Sequence, residues 1–270
     1  MFPAVACRSG LHPPLLSAGL ALALLGVSPV SATDLNAAVQ ASSAQLRQAW
    51  AADPGTASLP FPQVVLLPPG VDASGACIPG APARSTAPKA LACGARNQVL
   101  LERDLLALAY EEFKAAAVAY WIAVGLAELI QPKDTALSPA AANLQANCLA
   151  GVLLGAGSSR PSAPDAGTVV QAAGRAYGDT VSAAVGTTEQ RAYAVLSGYG
   201  GTPSGCSAVE MAALARGVVP EPAKLATLAE ALRANSNLTK AYRSQCQPVG
   251  KKPCPRTTAS ALSPSQSTRP

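Results

Sequence analysis

At 270 residues the chain is long enough for one well-packed domain with an appendage. Its composition is 49% hydrophobic but only 4% aromatic and 13% charged, so alanine, leucine and valine must carry the core, and the helix propensity of alanine favours closely packed helices. The formal charge is only +5, and the basic residues are scattered apart from Lys251 and Lys252, which excludes a basic, aromatic-interleaved surface for nucleic acid.

Residues 1–32 read as a secretory signal peptide. Arg8 supplies positive charge, and Leu15 to Val27 form an apolar run. Ser28 and Pro29 break it, and Val30-Ser31-Ala32 offers small residues at the cleavage positions. The run is short for a bilayer span. Retained, it would tether the chain to a membrane. Cys7 precedes it, which is not the place of a lipid-attachment cysteine. Cleavage would leave a secreted or periplasmic chain with one domain over residues 33–246. Residues 247–270 follow as a Pro/Ser-rich tail of disordered composition. Cleavage also removes Arg8, lowering the charge to about +4, and His12, the one histidine of the chain. Without histidine, Ser-His-Asp, Cys-His and HExxH chemistry are all excluded for the processed protein.

Six cysteines remain: Cys77, Cys93, Cys148, Cys206, Cys246 and Cys254. An even number in an exported chain points to three disulfides. Zinc is the competing use, but none of the six forms a CxxC pair. Sequence alone does not fix the pairing. Bridging sequential cysteines gives Cys77–Cys93, Cys148–Cys206 and Cys246–Cys254.

In chain order, Thr33 to Ala52 predicts an amphipathic helix through Leu35, Val39, Leu46 and Trp50, stopped by Asp53-Pro54-Gly55. Gln63 to Leu67 predicts a strand between prolines. Residues 70–92 read as a Gly/Pro/Ala/Ser loop holding Cys77. Gln98 to Leu101 is a second short apolar run, either a strand or the lead-in to a helix. One long helix is then expected to Ile130, with Leu106, Tyr110, Phe113, Ala117, Tyr120, Val124 and Ala127 on one stripe. Ser138-Pro139 caps and opens the next helix, which runs through Leu144 and Cys148 to about Leu154. Asp165 caps a helix carrying Val169, Ala173, Tyr177 and Val181. Thr187 to Gln190 resembles a capping box. Two more helices follow near 208–216 and 221–234. The order predicts a mainly α (α+β) domain with one or two short strands, stapled by disulfides.

Several of these pieces resemble one family. Ala119 to Gln131 (AYWIAVGLAELIQ) is similar to the active-site helix of the neutral zinc metallopeptidases, which reads roughly AYVVAHEVGHHVQ. Asn143 to Val152 (NLQANCLAGV) resembles that family's ELQADCLAGVW. Tyr177-Gly178-Asp179 resembles its IGDD. Gly186 to Arg191, then Ser197 to Gly200 and Cys206, resemble HGTSEQR…GY…C. The resemblance covers about residues 60–206 and implies a zincin-like fold.

The chemistry does not come with it. HExxH places two histidines on one helix face to hold Zn²⁺, and its glutamate activates water. Val124 stands at the first histidine position, Gly125 at the glutamate and Glu128 at the second histidine. The third ligand position holds Asn143, the neighbouring aspartate position Asn147, and the histidine before GTSEQR is Val185. The resemblance thus implies an inactive pseudopeptidase with no catalytic residue, metal or cofactor. It would bind an extracytoplasmic protein or peptide, or act structurally, and bind no nucleic acid. A second reading is a hydrolase with a rewired carboxylate site, using Glu128 with Asp179 or Asp134, and Tyr177. A third is a membrane-tethered scaffold. Glu189 and Arg191 read as solvated charges beside a helix cap, Tyr110, Phe113 and Tyr120 as core. Glu111 and Glu112 are adjacent and face different ways, so they make no glycosidase pair. Asn237-Leu238-Thr239 matches a glycosylation acceptor.

Overall fold

The computed structural model of the chain describes residues 32–77, 89–132, 136–156, 164–177 and 183–234. The expected signal peptide, the Cys246–Cys254 bridge, the tail, Asn237, Val181, Asp134 and Asp179 lie outside these residues.

The fold is mainly helical, with a small sheet and two disulfides. Helix α1 (Ala32–Ala52) buries Leu35, Val39, Leu46 and Trp50. The Trp50 indole donates to the carbonyl of Leu59, beyond the Asp53-Pro54-Gly55 stop. Strand β1 (Gln63–Leu66) follows, bracketed by Pro60, Pro62, Pro68 and Pro69. It lies at the edge of the sheet, where flanking prolines and short length discourage pairing with another chain.

Part of the stretch expected as a loop is structured. It contains a short helix α2 (Ala73–Cys77) and strand β2 (Ala90–Cys93). β2 has no β-branched residue. It becomes a strand by antiparallel pairing with β3 (Gln98–Leu101), with Leu91 opposite Leu100. β3 is the central strand and pairs with β1 in parallel. Gln98–Leu101 is therefore a strand and not a helix lead-in. Glu102 then caps the sheet: its side chain accepts from the Ala73 amide at 2.9 Å, joining α2 to the end of β3.

The long helix expected up to Ile130 is two helices. α3 (Arg103–Phe113) and α4 (Ala115–Ile130) are broken at Lys114, whose φ is 50°. The break turns α4 into the centre of the molecule. Every residue from Ala116 to Ala127 is buried, so the helix has no solvent face and the expected single stripe is too narrow a description. α4 packs against α1, α3, β2, β3, α5 (Pro139–Ala156) and α6 (Ala166–Gly174). The Ser138 hydroxyl accepts from the Ala141 amide, as the sequence predicts for a cap. α6 is capped by Asp165 through the Thr168 amide, but it ends at Gly174, so Tyr177 stands in the turn after it.

Helix α7 (Thr188–Gly198) starts with the expected capping box, Thr187 with Gln190. It crosses α5 through glycines: a methyl group at Gly198 would overlap the Cys148 carbonyl, and one at Gly151 the Val195 carbonyl. Cys148 also bridges to Cys206, in the segment before α8 (Ala208–Ala215). That bond closes a span of 58 residues and stabilises the fold by about 2–4 kcal/mol. Cys77–Cys93 ties α2 to β2. Helix α9 (Pro222–Ala234) sends Leu232 against Gly174 at the end of α6. Disulfides of this kind belong to an oxidising, extracytoplasmic compartment. Among the described residues no helix is long and apolar enough to cross a membrane.

Candidate functional site

Helices α4 and α5 pack against each other, Tyr120 meeting Asn147 and Gln131, just past the end of α4, meeting Gln145. The pairing brings the residues singled out on both helices into one interior. Tyr120 is fully buried, and its hydroxyl donates to Asn147 Oδ1 at 2.6 Å. The Asn147 amide donates to the carbonyl of Asn143 at 2.8 Å and to Asn143 Oδ1 at 3.0 Å. Asn143 Nδ2 donates to the Tyr177 hydroxyl at 3.3 Å. Four neutral side chains thus form one chain of hydrogen bonds from α4 through α5 to the turn after α6. Burial, and then the neighbouring Tyr177, push the Tyr120 phenol well above its ordinary pKa, so it remains a neutral donor.

The other degenerate positions are apolar or engaged elsewhere. Val124 and Val185 are buried. Gly125 packs against β3, where any side chain would overlap Val99. Glu128, half-buried, turns to the sheet: Oε2 accepts from the Ala92 amide at 3.4 Å. Lys89 and Glu102 are bonded across β2 and β3, so by alternation the Ala92 amide points away from β3. Glu128 therefore closes part of the free edge of β2. This donor set does not fit a zinc ion. Three of the positions, Val124, Gly125 and Val185, offer no side-chain ligand atom, and the Asn143 and Asn147 amides are neutral and spent on one another and on tyrosines. Among the described residues no three His, Cys, Asp or Glu side chains stand together as metal ligands. Asp179 and Asp134, the proposed partners of Glu128, lie outside the described residues.

Two cations in this interior escape simple sequence reading. Arg191 is not solvated; it is fully buried on α7. Its guanidinium donates to the carbonyls of Ala173, Gly174 and Gly186 at 3.2, 2.6 and 2.8 Å. It also lies over the Tyr177 ring, 5.3 Å from the centroid. Two of those carbonyls end α6, where a helix presents partial negative charge. The capping box at Thr187 points to an exposed helix start, and nothing in the local pattern distinguishes Arg191 from a surface arginine. Glu189, two residues earlier, is half-buried.

Lys89 stands immediately before β2, at the edge of the Gly/Pro-rich stretch, where sequence gives no reason to single it out. Nζ donates to the Ala176 carbonyl at 2.5 Å and lies 5.1 Å from the centroid of the Trp121 ring. Trp121 meets the Tyr177 ring edge-on, 5.6 Å between centroids. No carboxylate of the described residues is within ion-pair distance of Lys89. Glu112, the nearest candidate from α3, is paired with Arg175 at 3.3 Å. Burial, then the Arg191 charge, lower the Lys89 pKa to about 8, against the weaker opposing pull of Glu112 and Glu102.

This lowered pKa sets a sign. Between about pH 8 and 10.4 the unfolded chain binds a proton at Lys89 that the fold does not, so this lysine's contribution to stability rises with pH across that window. Below it the buried charge costs about 3 kcal/mol at most. Lys89→Met removes the charge but leaves the Ala176 carbonyl without its donor, a loss of about 1–3 kcal/mol. The variant is expected to be more stable than the parent at pH 7 and less stable at pH 10. Urea titrations at both pH values check this, and an equal difference at both would refute the assignment.

No protein-family model, curated protein or solved structure matches the chain.

Proposed function

We propose that the chain is an exported, catalytically inactive relative of the neutral zinc metallopeptidases, a pseudoenzyme that binds an extracytoplasmic protein or peptide or serves a structural role there. The observation that carries this is the neutral chain Tyr120–Asn147–Asn143–Tyr177. It runs through two of the positions where the resemblance expects metal-site carboxylates. In a peptidase those positions would face a cation with charged groups. Here the amides bond to each other and to the two tyrosines, which supports a site whose described side chains do not call for an ion. Gly125 supports the same reading. A glutamate there could not activate water, because its side chain would have to displace Val99 of the central strand. Val124 and Val185 add packing in place of ligands. Fold can persist after chemistry is lost, because packing and catalysis rest on different residues. The two disulfides agree with export.

The rewired hydrolase is the reading to test against. The chain should be purified from the exporting compartment without a histidine tag and its metal content measured by mass spectrometry, beside a casein-cleavage assay. The expected result is zinc, calcium and magnesium far below stoichiometry and no cleavage that a chelator abolishes. One tightly held ion per chain would mean that oxygen ligands such as Glu128 have rebuilt a site, and the pseudoenzyme would be given up.

A further inference from the structure

We propose that α9 is an exchangeable arm, and that two copies of the chain pair by each placing its α9 in the other's groove. The groove is formed by α7 and the end of α6, with α5 and α8 beside it. Leu225 and Leu228 pack against the cluster of Leu144, Tyr193, Met211 and Leu214. Leu232 is buried against Gly174, whose missing side chain leaves the room that the leucine methyl groups take. One hydrogen bond holds each end: Lys224 Nζ donates to the Gly201 carbonyl and Arg175 Nη2 to the Leu232 carbonyl, both at 2.7 Å. The three leucines share one helical face, so the attachment is a single seam that leaves as a unit. A second copy offers the identical seam to the identical groove, and exchange therefore gives up no contact there.

The connection to α9 suits exchange. Among the described residues both disulfides close at or before Cys206, so α9 lies beyond the last staple. Residues 216–221 turn at one place. Gly217 has a φ of 77°, and the amides of Gly217 and Val218 donate to the carbonyls of Leu214 and Ala213. Beyond this turn Val219 and Glu221 each precede a proline, which favours extended backbone, so only the Gly217 turn has to open. Val209 and Val218 are the most exposed large apolar side chains of the described residues, at 79% and 61%. Val209 stands one helical turn from Ala213, whose carbonyl the Val218 amide holds, so both flank this turn on the outer side of α8. In an exchanged pair the two opened turns run past each other at the two-fold axis, and this apolar row is covered by its own copy.

The test uses the full chain purified from the exporting compartment, sized by light scattering on a gel-filtration column over a range of concentrations. A dimer is expected that grows with concentration and, once formed, dissociates slowly on dilution, because α9 must leave its groove. Gly217→Ala strains the closed turn, since alanine is disfavoured at positive φ by roughly fivefold or more. It is expected to raise the dimer fraction by at least that factor. Two further variants separate exchange from a face-to-face pair. Gly174→Ala crowds Leu232, and Leu232→Ala leaves that site empty. When the two are mixed, exchange restores leucine on glycine in one groove and sets alanine beside alanine in the other. The mixture is therefore expected to form more heterodimer than random pairing allows. A parent that stays monomeric at every concentration, a Gly217→Ala protein no more dimeric than the parent, or random pairing of the two variants would each overturn the proposal. Uptake of an added peptide of residues 222–234 by a chain that stays monomeric would also overturn it, and would give the groove to a partner's helix instead.

Discussion

Gly198→Ala is expected to destabilise the fold by about 4 kcal/mol or more, enough to leave little native protein. Intrinsic propensity points the other way, because alanine is better than glycine in a helix by about 1 kcal/mol. Contact geometry decides the sign. The added methyl at Gly198 would overlap the carbonyl oxygen of Cys148 and press on the amide of Val152 and the Cα of Gly151. All three are backbone atoms of α5, so no side chain can rotate away. The two helices would have to move apart. That motion is opposed by the Cys148–Cys206 bond at the crossing and by the buried Tyr193, Ala194 and Val195 of α7. Gly200→Ala is the control. Gly200 also has a special backbone, with φ of 76°, but open space around it, so its cost should be about 1–2 kcal/mol. Urea denaturation of both variants separates the effects. If Gly198→Ala lost no more than Gly200→Ala, α5 and α7 would not cross in glycine contact.

This crossing also shows what could be read from sequence and what could not. Local signals were legible: the Thr187–Gln190 box, the Asp165 and Ser138 caps, and the apolar strand Gln63–Leu66 lie where turn and cap chemistry put them, whereas Gln98–Leu101, open from sequence between a strand and a helix lead-in, is made a strand by its pairing with β1 and β2. Pairing sequential cysteines gave Cys77–Cys93 and Cys148–Cys206. Features created by long-range contact were not legible. β2 is Ala-Leu-Ala-Cys after a Gly/Pro/Ser-rich stretch and becomes a strand only through β3. The break at Lys114 carries no glycine, proline or asparagine. On the site, the sequence placed Tyr120, Asn143, Asn147 and Tyr177 in relevant segments, but their order as one hydrogen-bonded chain depends on how α4 lies against α5. Lys89 and Arg191 were hidden for a related reason. A cation's solvent exposure is set by what covers it; Lys89 is covered from α4 and the turn at Ala176, and Arg191 from the end of α6 and Tyr177 as well as the nearby Gly186 turn, so most of the cover is remote in sequence.

Arg191 and Lys89 are two interior cations with opposite expected responses to removal, and Arg191→Met should be the more damaging by far. Lys89 has a single carbonyl partner and a pKa lowered by its surroundings. Arg191 has three carbonyl partners and an aromatic ring, arranged around a planar guanidinium that stays charged even though burial lowers its pKa. Methionine fills similar volume but leaves the carbonyls of Ala173, Gly174 and Gly186 without these donors. Breaking such a buried charge-assisted set costs about 3–5 kcal/mol. Lysine in the same place keeps the charge but cannot reach all three carbonyls from one nitrogen, so Arg191→Lys should fall between parent and methionine. The damage should also spread. Arg191 holds the end of α6 and the Gly186 turn against α7, and Tyr177, which it covers, ends the Tyr120–Asn147–Asn143 chain. Tyrosine and tryptophan signals in the near-ultraviolet should therefore change in Arg191→Lys while the far-ultraviolet helix signal is kept, because Tyr177 and Trp121 lose their fixed edge-on contact. An Arg191→Met protein within about 1 kcal/mol of the parent would mean that water reaches those carbonyls, and that this interior is not the closed polar core on which the proposed non-catalytic role rests.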